Sequence, residues 1–126
     1  MPGKYRKKKP GRYGANKRFT NAFGSWDSKA EFERFLYLQS LEKKGVIQNL
    51  ETKVKYTFEH NGVKIGSFSP DFRYRIGPHV VIEDFKGGFE VSRDFPLRVK
   101  MLKAFYGLDV HIVKTETDIK HIEELR

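Results

Sequence analysis

Ser69-Pro70-Asp71-Phe72-Arg73-Tyr74-Arg75-Ile76-Gly77-Pro78-His79-Val80-Val81-Ile82-Glu83-Asp84-Phe85-Lys86-Gly87-Gly88 is the stretch whose reading decides the fold. Its first half alternates, with Phe72, Tyr74 and Ile76 on one face of a strand, and Gly77-Pro78 supplies turn chemistry. Its second half begins apolar on both faces (Val80, Val81, Ile82), as a central strand does, and ends in charge and two glycines. Strand side chains repeat every two residues, so Asp84 and Lys86 share a face. A turn centred on Gly77-Pro78 brings Asp71 near Asp84 across the ladder. The same register sets Arg73 beside Ile82, which predicts a bulge or a wider loop. Two carboxylates and an ammonium then meet at one edge of a buried sheet, an arrangement costly to build unless the protein uses it.

A chain of 126 residues is one domain, able to bury roughly two thirds of the surface its unfolded form exposes. Without cysteine it can form neither a disulfide nor a thiolate zinc site, and a reducing, cytoplasmic setting suits it. His60, His79, His111 and His121 lack paired metal spacing and read as surface or packing residues. No apolar run is long enough for a signal peptide or a membrane span. The net charge of +9 is concentrated at one end. Lys4, Arg6, Lys7, Lys8, Lys9, Arg12, Lys17 and Arg18 precede Ser25 with no acid among them, and the remainder is nearly neutral. Residues 1–25, which also carry Tyr5, Tyr13, Phe19 and Phe23 without either structural period, therefore read as a flexible arm. Its bases suit phosphates and its aromatic rings suit stacking on bases.

The folded part, residues 26–126, is expected to open with Ser28 capping a helix to Lys44, ended by Gly45. Phe32, Phe35, Leu36, Leu38 and Leu41 form its apolar face, with Arg34, Lys43 and Lys44 turned to water. Residues 53–60 alternate, Val54, Tyr56 and Phe58 against Lys53, Lys55 and Glu59. Asn61-Gly62 then closes a hairpin with Val63–Phe68. After the hairpin quoted above, Ser92 or Asp94, Pro96 and Gly107 bracket a second helix bearing Val99, Leu102 and Phe105. Leu108–Val113 reads as a strand reached through that helix, and so parallel to the one before it. A short helix over 118–126 closes the chain.

Carboxylates converging from separate elements repel one another, and a divalent cation with oxygen ligands relieves them. Magnesium is the expected ion, with manganese as a substitute. Such an ion polarises a phosphoryl oxygen and lowers the pKa of bound water, while a neighbouring lysine steadies the attacking water or the transition state. Together with the basic arm this points to phosphodiester hydrolysis. Glu31 is the candidate for a further acid: on a helix it lies within about 20° of Leu38, whereas Glu33 points elsewhere.

Glu31 on the first helix, Ser69-Pro70-Asp71 opening one strand and Asp84-Phe85-Lys86 ending the next resemble the signature of the PD-(D/E)XK nucleases. Trp26 to Glu31, Gly45 to Glu51, Pro70-Asp71-Phe72 and Glu83 to Gly87 are similar, more closely, to a family of small phage nucleases of uncharacterised function. A looser likeness is to phage endonuclease I, a Holliday-junction resolvase. The resemblance spans about residues 26–113. It implies a restriction-endonuclease-like α/β fold, an α-β-β-β-α-β core with a mixed sheet flanked by helices. It also implies that Glu31, Asp71, Asp84 and the Phe85 carbonyl hold magnesium and that Lys86 stands at the scissile phosphate. Arg98, Lys100 and Lys103 occupy the region where the family's second helix is lysine-rich, so Arg98 and Lys100 are expected to contact DNA. The implied activity is a magnesium-dependent endodeoxyribonuclease acting on branched or recombining DNA, in the host cytoplasm if phage-encoded, with a homodimer allowed. The alternatives are a non-catalytic, ribosomal-like nucleic-acid-binding protein and a nuclease subunit of a larger recombination complex.

Overall fold

The structure, a computed structural model, describes residues 19–21, 24–26, 28–86 and 93–126. The eight bases of the arm lie outside the described residues. The described backbone nevertheless includes part of the segment read as arm. β1 (Phe19–Asn21) pairs antiparallel with β2 (Gly24–Trp26), Phe19 opposite Trp26. Trp26 anchors that pair: its buried ring lies 4.8 Å from Phe35 and 5.4 Å from Phe32.

α1 (Lys29–Lys43) starts where Ser28 Oγ accepts the Glu31 amide at 3.1 Å. Its buried line is Glu31, Arg34 and Leu38, one turn and then another along the same side. Arg34, expected in water, is instead wholly buried, and Leu36, expected inside, is exposed. The reason is a partner on the sheet, described below.

β3 (Gln48–Thr52), β6 (Phe72–Ile76), β7 (His79–Phe85) and β8 (Val110–Val113) form the central sheet in the order β3-β6-β7-β8. β3 and β7 run antiparallel to β6, and β8 runs parallel to β7. β4 (Tyr56–His60) and β5 (Val63–Phe68) form a separate hairpin whose turn places Asn61 and Gly62 at φ 51° and 80°. Two successive left-handed residues make the turn that matches strand twist, and asparagine followed by glycine tolerates it best. α2 (Phe95–Tyr106) follows, ended by Gly107 at φ 71°, and α3 (Lys120–Leu125) closes the chain. The expected α-β-β-β-α-β order is therefore met by α1, β3, β6, β7, α2 and β8, with β4–β5 inserted. No described helix is long and apolar enough to cross a membrane.

The β6–β7 register is regular: Phe72 faces Glu83, Arg73 faces Ile82, Tyr74 faces Val81 and Ile76 faces His79. The bulge expected to separate Arg73 from Ile82 is not there. Arg73 tolerates that neighbour by running its stem along the sheet, its guanidinium 5.9 Å from the Tyr56 ring and 3.9 Å from Glu51. Alternation gives the sheet two buried faces. Phe72, Tyr74, Ile76 and Val81 pack with Leu38 of α1 and Ile122 of α3, while Ile82 packs with Tyr56, Phe58, Phe95 and Leu102.

Candidate active site

At one end of the sheet β3 and β7 finish and β6 begins, because neighbouring strands alternate in direction there. Asp71, just before β6, and Asp84, near the end of β7, continue the ladder as opposed residues. Both are buried, and each receives a hydrogen bond from the other's strand. The Asp71 amide donates to Asp84 Oδ1 at 3.1 Å, and the Phe85 amide donates to Asp71 Oδ2 at 2.7 Å. The two carboxylates are thus fixed by backbone, which neither rotamer freedom nor solvent can easily undo. Lys86 Nζ lies 3.0 Å from Asp84 Oδ2, as their shared strand face requires, and 4.5 Å from the Phe95 ring centroid. Burial, and next the charge of Asp71, push the Asp84 carboxyl up to about 7.

Glu31 reaches the same end from the first turn of α1 and is buried, while Glu33 is exposed. A residue outside the sequence-based site joins it there. Lys53 Nζ lies 2.6 Å from Asp71 Oδ1 and 3.3 Å from Glu31 Oε2, so one ammonium bridges two acids. Alternation over 53–60 sets Lys53 with Lys55 and Glu59 on the strand face opposite Val54, Tyr56 and Phe58. In fact that strand starts at Tyr56, and Lys53 stands in the link after β3, with its amide on the Asp71 carbonyl at 3.1 Å. Among the described residues no group of three or more histidines or acids is placed as a metal-holding cluster.

A cleft of ≈ 360 Å³ opens over these groups, lined by Lys53, Asp71, Asp84, Lys86, Phe95 and Arg98 among others. Arg98, on α2, thus lines the same cleft as the acids. Lys100 is exposed on α2 but does not line the cleft.

Behind the cleft sits a second polar cluster that sequence reasoning missed. Arg34 Nε and Nη2 reach the two oxygens of Glu83 at 2.9 and 2.6 Å, and its Nη1 donates to the Asp118 carbonyl at 2.7 Å. Tyr74 Oη donates to Glu83 Oε2, and His121 Nε2 lies 2.7 Å from the same oxygen. Burial alone would raise the Glu83 pKa. The hydrogen bonds of His121, Arg34 and Tyr74 and the Arg34 charge reverse that, so its carboxyl is held below the usual range. Burial and the Glu83 charge in turn raise the Tyr74 hydroxyl. Arg34 is one turn beyond Glu31 on α1, and Glu83 directly precedes Asp84 on β7. Their two-pronged pair fixes the rotation of α1 on the sheet and with it the approach of Glu31. His111 stacks on His121 at 4.4 Å; His60 and His79 are exposed, as expected.

Fold and site together define an α/β protein with an acid–lysine cleft at the open end of a mixed sheet. Residues 10–120 match the family described as protein of unknown function (DUF1064), and the chain belongs to that family. No curated protein and no solved structure matches it.

Proposed function

We propose that this protein is a divalent-metal-dependent endonuclease that hydrolyses phosphodiester bonds in DNA. The observation that carries the reading is the pair Asp71 and Asp84, two buried carboxylates held opposite each other by backbone amides on the sheet's two central strands. Like charges in that position favour a hard cation with oxygen ligands, and the donor set suits magnesium. Asp71, Asp84, Glu31 and the Phe85 carbonyl are the groups that would hold it. A bound magnesium ion would supply Lewis acidity toward a phosphoryl oxygen and toward water.

The rest of the chemistry belongs to this chain's side chains. Lys86, steadied over the Phe95 ring, presents its ammonium to the cleft, where it can orient the attacking water and offset charge gathering on the phosphoryl oxygens. Arg98, which also lines the cleft, suits a flanking phosphate, which its planar fork binds by two hydrogen bonds. The basic residues Lys4 to Arg18 add affinity that does not depend on sequence.

The test is incubation of the full chain with supercoiled, linear and four-way-junction DNA in magnesium, and in parallel in EDTA. Magnesium-dependent nicking is the expected result, and preference for the junction would extend it to branched DNA. Binding without cleavage in magnesium and in manganese would refute the reading in favour of a non-catalytic binding protein.

A further inference from the structure

Lys53 is an unusual neighbour for a cation site. Its ammonium stands where the site's own acids converge, 2.6 Å from Asp71 Oδ1 and 3.3 Å from Glu31 Oε2. Its backbone is held in the left-handed region, at φ 54°, by the bond from its amide to the Asp71 carbonyl at 3.1 Å. A residue with a Cβ rarely adopts that conformation, and when it does the surrounding structure enforces it, often at a functional position. The backbone is thus pinned beside Asp71 while the side chain stays 38% exposed, with an open cleft in front of it. Lys86 is placed differently. Among the described residues its ammonium pairs with Asp84, and it is retained by the Phe95 ring.

Resting on the metal-dependent reading above, we infer that Lys53 is a built-in exchangeable cation: its ammonium neutralises Glu31 and Asp71 in the metal-free protein and is displaced into the cleft when a divalent ion binds. A dication and an ammonium on the same two carboxylate oxygens exclude each other both sterically and by charge. Exchange has two consequences. The metal-free site avoids an uncompensated pair of buried acids, which is otherwise strongly destabilising. Metal entry turns a positive side chain toward the place a phosphate would occupy, so metal and nucleic acid strengthen each other's binding, as reciprocal coupling requires.

The test uses the full chain without DNA and measures manganese binding by calorimetry for the wild type, Lys53→Met and Lys55→Met. Lys55 is an exposed neighbour outside the site and serves as the control. Exchange predicts that Lys53→Met binds manganese about tenfold or more tightly than wild type, because the competing charge is gone, and that Lys55→Met matches wild type. A second measurement needs no variant: the acylation rate of the Lys53 amine in the wild type, read by mass spectrometry, should rise several-fold when saturating magnesium is added. It also decides the matter if Lys53→Met does not fold. Manganese binding to the wild type with unchanged or weaker binding by Lys53→Met, or with a Lys53 acylation rate indifferent to magnesium, overturns the exchange and leaves the metal site standing. Manganese binding by neither protein overturns the metal-dependent reading itself, and the inference with it.

Discussion

Asp84→Asn tests the electrostatics of the cleft without any substrate. Without a metal ion, burial and next the charge of Asp71 push the Asp84 carboxyl of the folded protein from an ordinary 3.8 up to about 7. Between those two values the folded protein holds a proton that the unfolded chain has released. Stability from this group is therefore present at low pH and is lost as pH rises toward 7. Asparagine matches the neutral acid in shape and does not titrate, so the variant lacks that loss. With a pH unit worth about 1.36 kcal/mol, the wild type has lost roughly 2 kcal/mol by pH 5 and roughly 4 kcal/mol by pH 8. The stability advantage of Asp84→Asn should accordingly be about 2–3 kcal/mol larger at pH 8 than at pH 5, or about 10 °C in Tm for a domain of this size. Comparing the two pH values cancels titrating groups that do not touch Asp84 and any fixed difference between amide and acid. Urea unfolding of both proteins at both pH values in EDTA measures it, and magnesium at pH 8 should recover stability for the wild type alone. An advantage equal at the two pH values to within about 0.5 kcal/mol would refute the idea that Asp84 is held charged at a cost. Undiminished DNA cleavage by the variant would remove Asp84 from the catalytic site.

Glu31→Gln should lower the cleavage rate by about two orders of magnitude or more with little change in urea stability, since the Ser28 cap uses the residue 31 amide and not its side chain; Glu33→Gln, on the exposed side, should cut as wild type, and reversed rates would mean the acid is misassigned. Arg34→Met leaves Glu83 buried with its strongest partner gone and should cost about 3–5 kcal/mol by urea unfolding; a cost under about 1 kcal/mol would show that the pair does not lock α1 to β7. Deleting residues 2–18 should weaken DNA binding and reduce the log–log salt slope by about five if six of the eight bases meet phosphates, while the single-turnover cleavage rate stays the same; an unchanged slope would take the arm out of DNA binding.

Periodicity and punctuation carried most of the fold. The alternation of Phe72, Tyr74 and Ile76 about Gly77-Pro78 placed Asp71 opposite Asp84, and strand parity put Lys86 beside Asp84, because both are properties of a single hairpin. Ser28, Gly45, Asn61-Gly62 and Gly107 marked boundaries through local backbone preference. β3 was not legible: Gln48 to Thr52 holds one apolar residue and a left-handed Asn49, and its extended form comes from pairing with β6 across a bulge. The β1–β2 pair was hidden in the same way. Arg34 and Lys53 show the deeper limit. An isolated charge in sequence reads as a solvent-facing residue, since nothing within a turn or two of it reveals a partner. Arg34 is buried only because Glu83, 49 residues away, meets it across the core, and Lys53 belongs to the site only because Asp71 and Glu31 converge on it. The sequence by itself determined the face of each element and the local register of its hairpins, which depend on neighbours in the chain. Tertiary structure alone decided which buried charges meet, because that pairing is set by the docking of distant elements and no local periodicity records it.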